Sequence, residues 1–289
     1  VLDTRHSRRD AAPNPDPLHG VGVGLRTPHF PVVLGDRPDI PWFEALIDNY
    51  MGDGGLPVKN LERVRNDYPV TFHGVGMSIG SSDPLNMDYL KRLKSLVDRF
   101  EPARISDHLC WVSVEGDYLH DLLPLPYIEE ATRHVIERIQ QVQDFLGRRI
   151  LIENVSSYMN YKISEMQEWE FIQHIVEKSG CDILLDINNV HVSASNHNFD
   201  ANDFLKGILV DRVKEFHLAG YEDKGTHLLD THGEPVHDPV WTLYEQALER
   251  FGPVPTLIEW DNNLPTFEIL HAEAKKAEQR MKRLSQHAA

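Results

Sequence analysis

The sequence predicts an α/β fold of the closed (β/α)8 kind, a TIM barrel. Three observations predict it. Short β-type runs alternate with longer helical patterns from one end to the other. Several of those runs are apolar at consecutive positions, as in "ILI", "ILL" and "TLI", which fits strands covered on both faces. The chain has 289 residues, and a barrel of this kind takes about 250. The alternative is an open doubly wound sheet. No glycine-rich phosphate fingerprint opens a helix, because "GVGVGL" has the wrong spacing and lies within the first strand.

Strands are expected at 21–26, 42–50, 69–76, 103–111, 149–156, 182–190, 213–220 and 255–261. Helices fill the gaps. Over 86–100, Met87, Leu90, Leu93, Leu96, Val97 and Phe100 recur at helical spacing. Ile128, Val135, Ile139, Val142 and Phe145 do the same over 127–147, and Gly147 is the stop. A third helix begins at a Ser164 cap and ends at Gly180, a fourth runs over 238–252, and a fifth starts at Thr266. Residues 1–19 read as an extended or disordered lead, and 20–289 as one barrel domain.

A formal charge of -16 argues against a nucleic-acid backbone or an anionic membrane as partner, because both repel an acidic protein. No apolar run is long enough to span a bilayer, and the N-terminal stretch lacks the apolar core of a signal peptide. The two cysteines, Cys110 and Cys181, form no CxxC pair. They read as buried thiols of a reduced, cytoplasmic protein.

In an α/β barrel, function gathers at the C-terminal ends of the strands. Those ends carry Glu44, Asp48 and Asn49, then His73, then Asp107 and His108, then Glu153 and Asn154. Asp186, Asn188, Asn189 and His191 follow. The seventh strand ends on His217, and its loop, expected to fold back over it, adds Asp230 and His232. The eighth gives Glu259 and Asp261. A lone buried histidine is usually a hydrogen-bonded core residue, and a lone carboxylate a cap or ion-pair member. Several carboxylates buried together are costly without cations. Arg26, Arg104 and Lys214 are the basic residues in or beside strands, so metal is the expected compensation. Imidazole and carboxylate together suit Fe, Mn, Zn or Co. His73, His108, Glu153, Asp186, His217, Asp230, His232 and Glu259 are too many for one ion and suit two or three. His227 reads as loop surface, and Asp107 either as the partner of the His108 ring or as a strand-end cap.

The ordered series "FHGVG", "SDHL", "LIENVS", "LLDINNV", "FHLAGY", "DTHGEPVHDPVW" and "LIEWD" resembles the multinuclear non-haem iron-dependent oxidases. That family includes the methanobactin-biosynthesis and thiaglutamate-pathway oxidases. The resemblance spans about residues 20–275 and departs at Asp48 and His191. It implies a xylose-isomerase-like barrel with two or three irons, mixed-valent Fe(II)/Fe(III), and O2 as co-substrate. It further implies a cysteine-containing, ribosomally made precursor peptide as substrate and a small partner protein that presents it. Carried over by motif, His73, His108 and Glu153 would hold one iron. Asp186, His217 and Glu259 would hold a second, with Glu153 bridging. Asp230 and His232, with Asn154 or Asn189, would serve a further iron. Glu153, Asp186 and His217 carry the catalytic role in this reading. Two rivals stand beside it: a divalent-metal-dependent sugar isomerase or phosphodiesterase on the same barrel, and a non-enzymatic metal-handling protein.

Overall fold

The computed structural model describes residues 18–52 and 54–287. In chain order the elements are β1 (Val21–Gly24), α1 (Phe30–Asp36), β2 (Phe43–Leu46), α2 (Leu56–Asp67), β3 (Val70–Gly74), α3 (Met87–Phe100), β4 (Ile105–His108), β5 (Trp111–Val114) and β6 (Asp117–Leu123). Then come α4 (Glu129–Leu146), β7 (Leu151–Glu153), α5 (Glu168–Ser179), β8 (Asp182–Asp186), α6 (Ile187–His197), α7 (Ala201–Gly207) and β9 (Val213–Leu218). The hairpin β10 (Tyr221–Asp223) and β11 (Leu228–Asp230), α8 (Asp238–Phe251), β12 (Thr256–Ile258) and α9 (Phe267–His287) complete the series.

Strands β1, β2, β3, β4, β7, β8, β9 and β12 pair in parallel and close into a barrel. The expected (β/α)8 architecture is therefore the observed one. Side chains alternate along each strand, so one set fills the barrel and the other meets the helices. On β3, Phe72 points outward to Phe100 of α3, with ring centroids 5.9 Å apart. On β9, Phe216 points outward to Tyr244 of α8. Their neighbours His73 and His217 therefore face inward. At the other end of the barrel Leu18, Trp42 and Leu257 pack into a separate buried cluster. The expected lead over 1–19 lies outside the described residues, apart from Leu18 and His19.

Several expected boundaries shift. The run 42–50 ends as a strand at Leu46 and turns into a 3-10 helix over Ile47–Tyr50. The run 182–190 ends at Asp186, whose carboxylate caps α6 by accepting the Asn189 N–H at 2.6 Å. "INNV" is apolar enough to read as strand, but the aspartate cap starts a helix there. The α5 helix begins behind Gln167, through a reciprocal capping box with Glu170, rather than at Ser164. Helices α1, α2 and α7 fill gaps in which no individual helix was placed, α6 takes over the end of the expected strand run 182–190, and the hairpins β5–β6 and β10–β11 were not expected.

Gly220, between β9 and β10, permits a close approach. A Cβ there would collide with the Glu234 carbonyl oxygen and sit 2.6 Å from that of Pro235. Backbone atoms cannot step aside as a side-chain tip can. Gly220→Ala is expected to cost about 1–3 kcal/mol in chemical denaturation. Gly35→Ala, where a Cβ meets nothing within 4 Å, should be neutral or stabilising by up to about 1 kcal/mol.

Candidate metal centre

The inward positions at the C-terminal end of the barrel are polar around much of the ring. Pairing sets His73 beside Ser106, His108 beside Glu153, and Asp186 beside His217. All of these residues are buried. The hairpin β10–β11 folds back so that Asp230 pairs with Tyr221, just beyond β9. His232 follows with a φ of 46°. Its carbonyl accepts the N–H groups of Asp261 and Asn262 at 2.7 and 3.2 Å, which pins this left-handed residue to the end of β12.

At the first group, His108 Nδ1 lies 3.2 Å from the Gly74 carbonyl. A carbonyl only accepts, so Nδ1 carries the proton and Nε2 is a bare lone pair in the neutral ring. His73 Nδ1 lies 2.8 Å from Ser106 Oγ, which itself donates to the Phe72 carbonyl. The His73 proton is therefore also on Nδ1. The two Nε2 atoms face each other at 3.3 Å, and Glu153 Oε2 lies 3.2 and 3.4 Å from them. Three ligand atoms, two imidazole nitrogens and a carboxyl oxygen, converge within 3.4 Å of one another. That donor set fits a cation.

A second group adjoins it. His217 Nδ1 lies 3.0 Å from Glu259 Oε2 and 3.6 Å from Glu153 Oε1. Ligand atoms of Glu153, Asp186, His217 and Glu259 lie within reach of one ion. His232 Nε2 is 2.7 Å from Asp230 Oδ1 and 3.9 Å from Asp186 Oδ2, and its Nδ1 is 3.2 Å from Glu259 Oε2. Both Glu153 oxygens, Asp186 Oδ2 and Asn189 Oδ1 are buried without a hydrogen-bond partner. Orphaned carboxylate oxygens are costly in a protein interior, and divalent cations would satisfy them.

Not every expected residue offers a free ligand atom to these groups. The Asn154 amide is spent on strand β8, donating to the Asp186 carbonyl at 3.0 Å and accepting its N–H at 2.9 Å. Asp230 also accepts from Ser156 and Asn188. Asp107 does not support the His108 ring; its Oδ1 accepts the His108 backbone N–H at 2.8 Å instead, as a strand-end cap. It points outward, where it accepts the Met77 N–H, because neighbours on a strand face opposite sides. His191 packs near Tyr221, which stacks on His237 at 4.2 Å, and joins none of the groups. His227 is exposed, as expected. Glu215 was missed outright, and Glu44 was noted at its strand but left out of the ligand set. Period-two alternation back from His217 would have placed Glu215 inside.

A family model described as RiPP precursor modification enzyme MbnB/TglH/ChrH matches residues 20–282. The chain belongs to this family. A UPF0276 protein of Acaryochloris marina is 57% identical over 261 residues, covering 90% of this chain and 94% of that one. One from Caulobacter vibrioides is 48% identical over 265 residues, covering 91% and 95%. Among solved structures, endonuclease IV from Thermus thermophilus matches at a TM-score of 0.59 and 13% identity, covering 92% of this chain and 99% of that one. D-psicose 3-epimerase from Clostridium cellulolyticum matches at 0.60 and 10%, covering 92% and 99%. A xylose isomerase-like TIM barrel protein from Mycobacterium smegmatis, in complex with magnesium, matches at 0.56 and 11%, covering 91% and 96%. These last likenesses show the fold: a xylose-isomerase-like barrel.

Without metal, the centre is electrostatically frustrated. Burial raises Glu153 well above the usual carboxylate range and pushes Asp186 and Glu215 up to about 7. Burial also raises Glu44. It opposes the His217 and His232 imidazolium forms, but the surrounding carboxylates outweigh it and hold both well above the ordinary histidine value. Burial lowers His73 and takes His108 down to about 4. For Glu259, burial is outweighed by His232 and His217, which hold it well below the usual range.

The signs decide a pH window. Raised groups stabilise the metal-free fold at low pH, and that stability is lost as pH rises through their folded values. The depressed histidines oppose this only up to their unfolded value of about 6.5. Glu259 acts only below about 4.5. From pH 6.5 upward the remaining shifts of this cluster point one way. The metal-free protein should lose thermal stability between pH 6.5 and 8.5, by up to about 1.4 kcal/mol per pH unit for each net proton. The metal-loaded protein should not. Melting curves with and without metal at the two pH values check this.

Proposed function

We propose that the protein is a multinuclear iron-dependent oxidase that uses O2 to modify cysteine residues of a ribosomally synthesised precursor peptide. The observation that carries the reading is the convergence of bare His73 and His108 nitrogens and orphaned Glu153 and Asp186 oxygens, in a chain of the RiPP precursor modification family. His73, His108 and Glu153 would hold one iron. Asp186, His217 and Glu259 would hold a second beside Glu153. Asp230, His232 and Asn189 would serve a third. Iron held there would supply the electrons that reduce O2.

The chain's own residues do the rest. Cys110 and Cys181 are buried and belong to none of the ligand groups, so the thiol to be oxidised comes from the substrate. A cavity of about 570 Å3 reaches Asp230 and is walled by Val75, Tyr118, Leu119 and Tyr158. It is large enough for a cysteine and its flanking residues in extended form. Tyr158 holds its floor: the hydroxyl accepts the Asp230 N–H at 2.9 Å and bonds Ser156 at 3.3 Å. Tyr118, Leu119, Tyr158 and Met159 leave apolar surface exposed, and there a small partner protein would present the peptide.

The test is mass spectrometry of a cysteine-containing precursor peptide incubated with Fe(II)-loaded enzyme, its partner protein and O2. A mass change that needs both iron and O2, and falls to background in Glu153→Ala and His217→Ala, is expected. An unmodified peptide, or the same product with Mg2+ and no oxygen, contradicts the reading.

A further inference from the structure

His217 meets carboxylates at both ring nitrogens. Nδ1 faces Glu259 and Glu153, on the side where Asp186 completes the ligand group. Nε2 faces down the barrel, 3.1 Å from Glu44 Oε2. A histidine that binds metal through one nitrogen keeps a proton on the other, and what accepts that proton fixes the ring. His73 and His108 use a hydroxyl and a carbonyl for this. His217 uses a carboxylate.

We propose that Glu44 is a positioning residue. It accepts the Nε2–H of His217 and so presents the Nδ1 lone pair to the metal beside Glu153, Asp186 and Glu259. Glu44 is fully buried, and its Oε1 has no hydrogen-bond partner. It stands on β2, separated from β9 by β1 and β12, so it reaches His217 across the barrel interior. The other carboxylate near Nε2, Glu215, is farther at 3.9 Å and turns Oε2 toward Arg104 at 3.4 Å. The division of labour follows: Arg104 pairs with Glu215, while Glu44 is left to face the imidazole. A carboxylate in this place makes the ligand nitrogen more basic than a carbonyl would.

This inference rests on the metal-centre reading but not on iron, oxygen or the peptide. The experiment is anaerobic titration with Co2+ alone, followed by absorption spectroscopy, on the wild type, Glu44→Gln and Glu44→Ala. Folding is checked by circular dichroism. Glu44→Ala should weaken Co2+ binding about 10- to 100-fold and alter the Co2+ absorption bands. Glu44→Gln retains an oxygen acceptor and should recover most of the affinity with a smaller spectral change. Folded variants with wild-type affinity and spectrum overturn the proposal. If Glu44→Ala does not fold, Glu44→Gln decides: an unchanged spectrum overturns the proposal and a shifted one supports it. A wild type that binds no Co2+ removes the metal-centre reading itself, a different failure.

Discussion

The constraint on which the rest of the structure depends is the burial of carboxylates in a barrel with too little positive charge. Glu44, Glu153, Asp186, Glu215 and Glu259 are all buried inside or at the rim. Arg26 serves Glu259 from 3.7 Å and Asp261 more closely, and Arg104 serves Glu215. Among the described residues, no Arg or Lys pairs with Glu153 or Asp186. Desolvation and mutual repulsion then force protons onto groups that would be ionised in water. Cations at the strand ends would remove the conflict without moving any residue.

The barrel supplies the geometry for this. Alternation along each strand brings a ligand type inward from β3, β4, β7, β8 and β9, and β12 adds Glu259 just past its end. Register then sets which ligands are neighbours, as with His108 and Glu153. The β10–β11 hairpin follows β9 and returns Asp230 and His232 to the mouth, where the His232 carbonyl holds the segment after β12. Asp186 does double duty. One oxygen caps α6 and the other faces the centre, so helix start and ligand position are fixed together. Likeness to epimerases and to an endonuclease adds the barrel and nothing about the reaction.

Much of this was legible in the sequence because a parallel barrel strand has a simple signature, an apolar run stopped by a polar residue. His73, His108, Glu153 and His217 stand out for that reason. Glu44 and Glu215 were harder, because they lie deeper in their strands, where charge is not expected. Their roles depend on partners far off in the chain, such as His217, 173 residues from Glu44. The β5–β6 hairpin was illegible for another reason. "DYLHDLL" in β6 is mostly exposed, and its apolar residues fall in adjacent pairs rather than alternating, so it lacks the period-two pattern of a strand. Of the two readings of Asp107, the cap of the strand end holds, while the partner of the His108 ring took adjacency in sequence for proximity of side chains, which a strand forbids.

The central claim is that metal ions, not protons, settle the charge at the barrel mouth. Elemental analysis of the wild-type protein, purified without oxygen from cells grown with added iron, tests it most directly. The account predicts about two or three irons per chain, retained through gel filtration. A folded protein that holds no metal, or a single zinc or manganese ion, would contradict it.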